Sequence, residues 1–533
     1  MKNLKIKLFG LSSLFMCLFL TSCTDELDTK PSGTQQTAEE LYADPASYKM
    51  FLAKLYAGHA TTGQQGPAGA GDLAGIDEGF SSYIRNYWNF QELTTDEAIM
   101  AWNDATIKDF HWHTWTTIDG FVKATFYRLA YQVNNCNEFL RQTEDGMLDS
   151  RGVSGSLREE IKTYRAEARF LRALSYWHLI DLFGGASLTT EDSPTTFYLP
   201  DYASRAELFD YVDQELVEME ADLAAPNSNE QFRVDKAAAW MLRAKLYMNA
   251  EVYVGTNRYT DAMTYINKVI NETSYSLHSD YRQLFLADND TNGAQNEFIY
   301  TVAFDGLRTK TYGGTTFLVH AAVGGSMNAA EFGINGGWAG IRTTSAFVSK
   351  FDGMDNDLRK QFHTDGQTLD IEDVGNFTHG YAISKWRNVD SFGNPGSDTS
   401  GDFVDTDYPV FRLADAYLMY AECFVRGAGG DASTAIGYIN SLRQRAYGST
   451  AGNIASGNLN LDFILDERAR ELHWEGHRRT DLIRFGKFTG SSYIWPWKGN
   501  VPSGAPTASY RNLFPIPQDA ISVNPKLIQN VGY

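Results

Sequence analysis

Two tryptophans and the polar residues beside them are the best-equipped part of this chain for holding a ligand. In "NFQELTTDEAIMAWNDATIKDFHWHTW", Trp102 is followed directly by Asn103 and Asp104. A rigid indole presents an apolar face, and an adjacent amide and carboxylate present hydrogen-bonding groups. A sugar ring asks for that combination, because its C–H face stacks on aromatic rings while its hydroxyls want amides and carboxylates. Much later, the glycine-rich "INGGWAGIRTT" supplies Trp338 as a second platform, with Arg342 nearby as a donor to hydroxyls. Tyr87, Trp88 and Tyr312 are further aromatic candidates. The competing interpretation of every one of these rings is core packing.

Other chemistries find less support. Hydrolysis of a glycosidic bond needs two carboxyls about 5–5.5 Å or 6.5–9.5 Å apart, and Asp96, Glu97 and Asp104 are available, but sequence shows no such distance. His473 and His477 stand four apart, a metal-ligand spacing on a helix, with Glu475 between them. The zinc-protease pattern places its general base directly after the first histidine, and Trp474 occupies that position. His111 and His113 flank Trp112 and would share one face of a strand, yet two ligands without a third make a poor zinc site. "GAGDLA" mimics part of a dinucleotide fingerprint but no apolar strand leads into it, and no Gly-x-Ser-x-Gly elbow occurs. No EF-hand spacing supports calcium. Neither catalytic residues, nor a metal site, nor a cofactor is read here.

The N-terminus says where such a site would operate. Lys2, Lys5 and Lys7 precede an apolar run from Leu8 to Leu20, which gives way to "TSC" and then to "TDELD". A basic start, a short apolar stretch and small residues describe an export signal rather than a membrane span, which needs about 20 apolar residues. "LTSC" resembles a bacterial lipobox, so residues 1–22 are expected to be a lipoprotein signal peptide and Cys23 the acylated first residue. Residues 23–36 then form a polar, flexible stalk. Asp25, Glu26 and Asp28 resemble the acidic signal that sends Bacteroidetes lipoproteins to the cell surface. Removing residues 1–22 takes away three lysines and no acid, which moves the net charge from −20 to −23. That balance argues against nucleic acid, whose phosphates recruit Lys and Arg. Cys136 and Cys423 sit in apolar helical patterns and read as core rather than as a disulfide framework.

Helices must position the candidate residues. Phe126, Leu129, Val133, Cys136 and Leu140 fall at three-to-four spacing. The next stretch, "SLREEIKTYRAEARFLRALSYWHLIDLFGG", starts with Ser156 as N-cap and stops at Gly184-Gly185. Ser204 and Glu207 have capping-box spacing. Two helical hairpins follow, 234–270 and 412–446, whose second helices share the pattern Ala-x-x-Tyr-Ile-Asn at Ala262 and at Ala435. Such repeats resemble tetratricopeptide units. "LDFILDERARELHWEGHRRTDLIRFGKF" reads as one closing helix. Between about 285 and 410 Gly, Ser, Thr and Asn dominate without helical period, which predicts an ordered lobe built of loops. The fold expected is mainly α, a tetratricopeptide-like scaffold (mainly 115–275 and 411–488) carrying that lobe (285–410) and a closing segment (489–533) within one domain, 37–533.

Four blocks in this order resemble one family, the SusD/RagB-like outer-membrane lipoproteins of Bacteroidetes: the lipobox start, "YRAEARFLRALSYWHLIDLFGG", "ERARELHWEGHRRTDLIRFGKF" and the terminal "FPIPQDAISVNPKLIQNVGY". The resemblance implies a tetratricopeptide-like scaffold with a variable loop lobe. It also implies a lipid anchor in the outer membrane, a SusC-like TonB-dependent transporter as partner, and capture of oligosaccharides at the cell surface. The region after "TTDEA", where Trp102 lies, is where family members commonly carry glycan contacts. Tyr164, Phe170, Leu171, Leu174, Trp177 and Leu182 read as scaffold core, and Arg165, Glu167, Arg169 and Arg172 as buried ion pairs, with a partner-facing surface as the alternative. Glu467, Arg468, Glu471, Glu475, Arg478, Arg479 and Asp481 read as an internal charge network.

The leading expectation is therefore a non-catalytic, surface-anchored glycan-binding protein that passes oligosaccharide to a transporter. A lipid-anchored glycoside hydrolase and a peptide- or protein-binding helical scaffold remain as alternatives. In the leading case the helical face grips the transporter and the loops hold the ligand.

Overall fold

The computed structural model describes residues 36–67 and 69–533. The expected leader, Cys23 and the stalk up to residue 35 lie outside the described residues. The described chain is mainly helical, with sheet confined to two-stranded pairs, and no described helix is long and apolar enough to cross a membrane.

The elements that matter for the site are, in chain order, α1 (Ala46–Ala60), α2 (Tyr83–Trp88), β1 (Ile99–Met100), α3 (Lys108–Trp112), α4 (Gly120–Gln142), α5 (Ser156–Phe183), α6 (Arg205–Met219), α7 (Lys236–Met248), α8 (Tyr259–Asn271), β2 (Phe298–Val302), α9 (Gly314–Ala321), β3 (Ile341–Arg342), β4 (Tyr408–Arg412), α10 (Leu413–Val425), α11 (Ala432–Tyr447), α12 (Leu461–Leu472) and α13 (Arg478–Arg484). Asp119 caps α4 by accepting from the Phe121 and Val122 N–H groups. The apolar stripe of α4, including Leu129, Val133, Cys136 and Leu140, is buried. Helix α5 runs for 28 residues, about 42 Å at 1.5 Å per residue. Its N-cap is Gly155, so Ser156 is the first helical residue rather than the cap. It ends where Gly184 adopts φ 75°, with an added Cβ only 2.8 Å from Leu513. The capping box at Ser204 and Glu207 forms as the spacing predicts.

The two hairpins pair α7 with α8 and α10 with α11. In each, a tyrosine of the first helix meets one of the second 18 positions later. Tyr247 and Tyr265 ring centroids lie 5.9 Å apart, Tyr420 and Tyr438 5.1 Å apart. Ala262 and Ala435 are fully buried, so the small residue lets the helices approach.

On α5, Arg169 and Arg172 reach Glu215 at 2.8 and 2.9 Å, and Glu167 pairs with Arg233. Arg165 departs from the expected ion pairing, donating instead to the Leu140 carbonyl and the Thr143 hydroxyl. The acids of α12 gather cations from distant segments. Glu471 meets Arg359, Arg412 and Arg445, and Glu467 meets Arg359, Arg443 and Arg470. Buried charges persist only when paired in this way.

The single closing helix read from the sequence is two helices. Between α12 and α13, Trp474 (φ 61°) and Gly476 (φ 84°) reverse the backbone. Gly476 is required there, since a Cβ would stand 2.2 Å from the Tyr87 ring. This break moves His473 and His477 off a common helix. Both are buried among cations, His473 facing the Arg470 carbonyl at 3.1 Å and His477 facing Lys245 at 3.3 Å. His111 lies in the last turn of α3 while His113 is its left-handed cap, so the two do not share a strand face. The 285–410 interval also differs from the expectation of loops alone, because α9 forms two turns within it. One hydrophobic core runs through the scaffold and that interval together.

Candidate functional site

The stretch before Trp102 is fixed by the break between α12 and α13. Glu92 Oε1 accepts from the Gly476 and His477 N–H groups, and Glu97 accepts from the Trp474 backbone N–H and, through its carbonyl, from the Trp474 indole. Arg478 donates to both oxygens of Asp96 at 2.8 and 2.9 Å. These acids are structural and buried. Burial raises Glu92 to about 7 and Glu97 well above the ordinary carboxyl range, whereas the Arg478 and Lys350 charges outweigh burial and hold Asp96 down to about 2. Asp96 and Glu97 are thereby excluded as a hydrolytic pair facing a ligand.

From this anchor β1 pairs antiparallel with β3, Ile99 opposite Arg342 and Met100 opposite Ile341, and the Ala101 N–H extends the ladder to the Gly340 carbonyl. The register places Trp102 against the 338–340 turn. Its indole N–H donates to the Trp338 carbonyl at 2.8 Å, and the two rings lie 6.3 Å apart at 46°. Trp338 is seated in turn on α9. Its N–H donates to the His320 carbonyl at 2.7 Å, and its ring stacks on the His320 imidazole at 4.6 Å and 22°. Burial holds the His320 imidazole below its usual range. Tyr312, 43% exposed just before α9, lies 6.4 Å from Trp338 at 56°.

These three rings border a cleft of about 650 Å³, completed by Pro67, Asp77, Glu78, Arg85 and Asp104 among others. Its volume falls within the range of small-ligand pockets. Arg85 forms part of the floor. Its guanidinium packs 4.7 Å from the Phe317 ring and 6.0 Å from Trp102, donates to the Gly79 carbonyl, and leaves its Nε–H without a partner. Burial lowers Arg85 to about 10, against the opposing pull of Asp104, Asp77 and Glu78. The arrangement couples aromatic faces with one cation and several carboxylates, which suits a polyhydroxylated ring.

The structure brings Trp102, Trp338 and Asp104 together and adds Tyr312. Asn103 is exposed and accepts from Lys108 at 2.5 Å rather than lining the cleft. Arg342 is corrected: it is fully buried, and its guanidinium donates to the carbonyls of Val374, Asn376 and His379 at 2.9 Å each. Strand alternation does not separate an outer from an inner face here, since Ile341 and Arg342 are both 0% exposed; the 374–379 loop covers the guanidinium and supplies its acceptors. Tyr87 and Trp88 are corrected too, being core residues 3% and 0% exposed. Arg85, Asp77 and Glu78 escaped sequence reasoning because the aromatic residues of "GIDEGFSSYIRNYW" drew attention instead, and its amide-aromatic pair, Asn86-Tyr87, is buried. The cluster of two acids before the helix was the available signal.

A protein-family model for the SusD family matches residues 355–533. The chain is 36% identical to the starch-binding protein SusD of Bacteroides thetaiotaomicron, covering 96% of each chain. It is 27% identical to the SusD-like protein P25 of Formosa agariphila, over 76% of this chain and 78% of that one. Among solved structures, a SusD superfamily protein from Parabacteroides distasonis superposes with TM-score 0.69 at 21% identity, covering 94% of this chain and all of that one. The surface glycan-binding protein A of Bacteroides thetaiotaomicron, solved with laminarihexaose, gives TM-score 0.68 at 19% identity over 91% and 99%. At these identities the solved structures establish the fold.

Proposed function

The chain belongs to the SusD family, and from that premise we propose that it is a non-catalytic glycan-binding protein whose ligand lies across Trp102, Trp338 and Tyr312. The observation carrying this reading is the arc of three rings around a 650 Å³ cleft that Arg85, Asp77 and Asp104 also line. Successive rings are tilted by 46° and 56°, so together they form a curved rather than a flat platform. A helically curved α-glucan complements such a surface better than a flat, ribbon-like β-1,4-glucan does. The 36% identical relative named for starch binding supports the same choice.

Family membership further supports acylation at Cys23, a place on the outer membrane facing outwards, and hand-over of oligosaccharide to a SusC-like TonB-dependent transporter. Isothermal titration with maltoheptaose, laminarihexaose and cellohexaose tests the ligand. Binding of maltoheptaose that disappears in a Trp102→Ala/Trp338→Ala variant is the expected result. A folded protein that binds none of the three, or binds them equally in wild type and variant, overturns the reading. Co-purification of a large β-barrel with the tagged protein tests the partner.

A further inference from the structure

A second cavity, of about 320 Å³, opens between the 227–235 segment and β2, and shares no lining residue with the aromatic cleft. Asp407 stands in its wall, only 3% exposed. Its Oδ1 accepts from the Phe304 N–H at 2.7 Å. Among the described residues no donor reaches Oδ2.

Charge in this cavity is one-sided. Asp235, Asp290 and Asp407 line it, and among the described residues none of them has an ion-pair partner. The lining cation, Arg233, is already engaged by Glu167 at 2.5 Å and by Glu230 at 3.2 Å. Tyr275 also lines the space, and no described residue partners its hydroxyl. Phe232 separates this cavity from an adjoining one of about 330 Å³, lined by Leu52, Ala53, Ala57 and Val302. Phe232 holds φ 68°, a left-handed conformation that costs a bulky residue energy and recurs at ligand clamps.

Burial pushes the Asp407 carboxyl well above its ordinary range, and the neighbouring Asp290, Asp405 and Asp305 push it further, against the pull of the Phe304 N–H. Burying a carboxyl without a cation is costly, and none of the three lining aspartates has a described cation paired with it.

We propose that this cavity is a binding site for an organic ammonium group, seated on Asp407 between the rings of Tyr275 and Phe232, with the apolar flank of the ligand in the adjoining pocket. An aromatic wall adds cation–π attraction to the charge. The ammonium can belong to an amino sugar or to a lysine side chain of another protein, and the two differ in what surrounds the charge.

Calorimetric titration of the full chain with D-glucosamine and with Nα-acetyl-lysine methylamide, alongside neutral D-glucose, tests the proposal. Proton release is followed in parallel by pH-stat at neutral pH. At least one amine is expected to bind and to displace a proton from Asp407. Affinity should fall tenfold or more in Asp407→Asn, whose carboxamide oxygen still accepts from Phe304, and by a few fold in Tyr275→Phe. Tighter binding of the lysine analogue assigns the site to a protein segment, tighter binding of glucosamine to an amino sugar. Glucose binding as tightly as the amines, no amine binding at saturating concentration, or amine binding that survives Asp407→Asn overturns the proposal. Loss of amine binding in Trp102→Ala/Trp338→Ala overturns it as well, by moving the ligand to the other cleft.

Discussion

The indole N–H of Trp102 donates to the backbone carbonyl of Trp338 at 2.8 Å, across 236 residues of sequence. The Trp102 indole is thereby tied to the backbone of the turn that carries Trp338, while the Trp338 ring itself rests on His320. The bond also removes a donor that a half-buried indole would otherwise leave unmatched.

Replacing Trp102 with Phe keeps an aromatic face but deletes this bond. A net hydrogen bond contributes about 0.5–1.5 kcal/mol, so glycan affinity should drop about 2- to 10-fold, and Trp102→Ala should drop it further. Titration calorimetry with maltoheptaose measures both. Equal affinities for wild type and Trp102→Phe would show that the bond does not hold the platform.

Gly340 faces the Trp102 ring so closely that an added Cβ would lie 2.5 Å from it. Gly340→Ala should displace the indole and cut affinity at least tenfold, about 1.4 kcal/mol. Fluorescence of the cleft tryptophans should change in the same variant. Unaltered binding would mean that the ring position is not what the ligand reads.

Arg342 predicts the opposite pattern. Replacing it with Met strands three loop carbonyls and should cost stability by about 1.5–3 kcal/mol, the range for hydrogen bonds to a charged group. Affinity per folded molecule should stay within about twofold. Urea unfolding and calorimetry separate the two effects, and a selective loss of affinity would return Arg342 to the ligand.

Acidification should destabilise the fold through its buried histidines. Burial pushes His59, His113 and His178 down to about 3 from 6.5, so below pH 6.5 the unfolded chain binds protons that the folded chain refuses, and stability falls towards pH 3. Glu92 acts in the other direction. Burial raises it from 4.5 to about 7, so the folded chain holds the extra proton, and stability falls as pH rises through that window. Glu92→Gln removes this slope. Relative to wild type its urea midpoint should therefore rise between about pH 5 and 8, and a pH-independent difference would refute the assignment.

Helices α4, α6 and α8 were legible because each buries one stripe. Helices α5 and α7, buried nearly all round along much of their length, were legible from the apolar spacing and stop signals in their sequence, which are local signals. The joint between α12 and α13 was not legible. "LHWEGH" keeps helical spacing, yet Glu92 and Glu97, more than 370 residues away, capture its backbone N–H groups and pull it open. Helix α9 was missed for a related reason: "GTTFLVHA" mixes apolar residues with threonines and a histidine and shows no stripe, and it is buried on all sides.

The sequence alone determined the helical scaffold, its repeated hairpins, and the aromatic-acid pair at Trp102 and Asp104, since these depend on residues close together in the chain. Only the tertiary structure decided which rings line a cleft. Tyr87, Trp88, Trp102, Tyr312 and Trp338 carry the same kind of apolar face, and burial follows from the pairing of β1 with β3 and the seat of Trp338 on His320. The 374–379 loop closed over Arg342, while Arg85 and Asp77 came to line the cleft from a separate segment, because the surroundings of a side chain are set by contacts between segments that the linear order keeps apart.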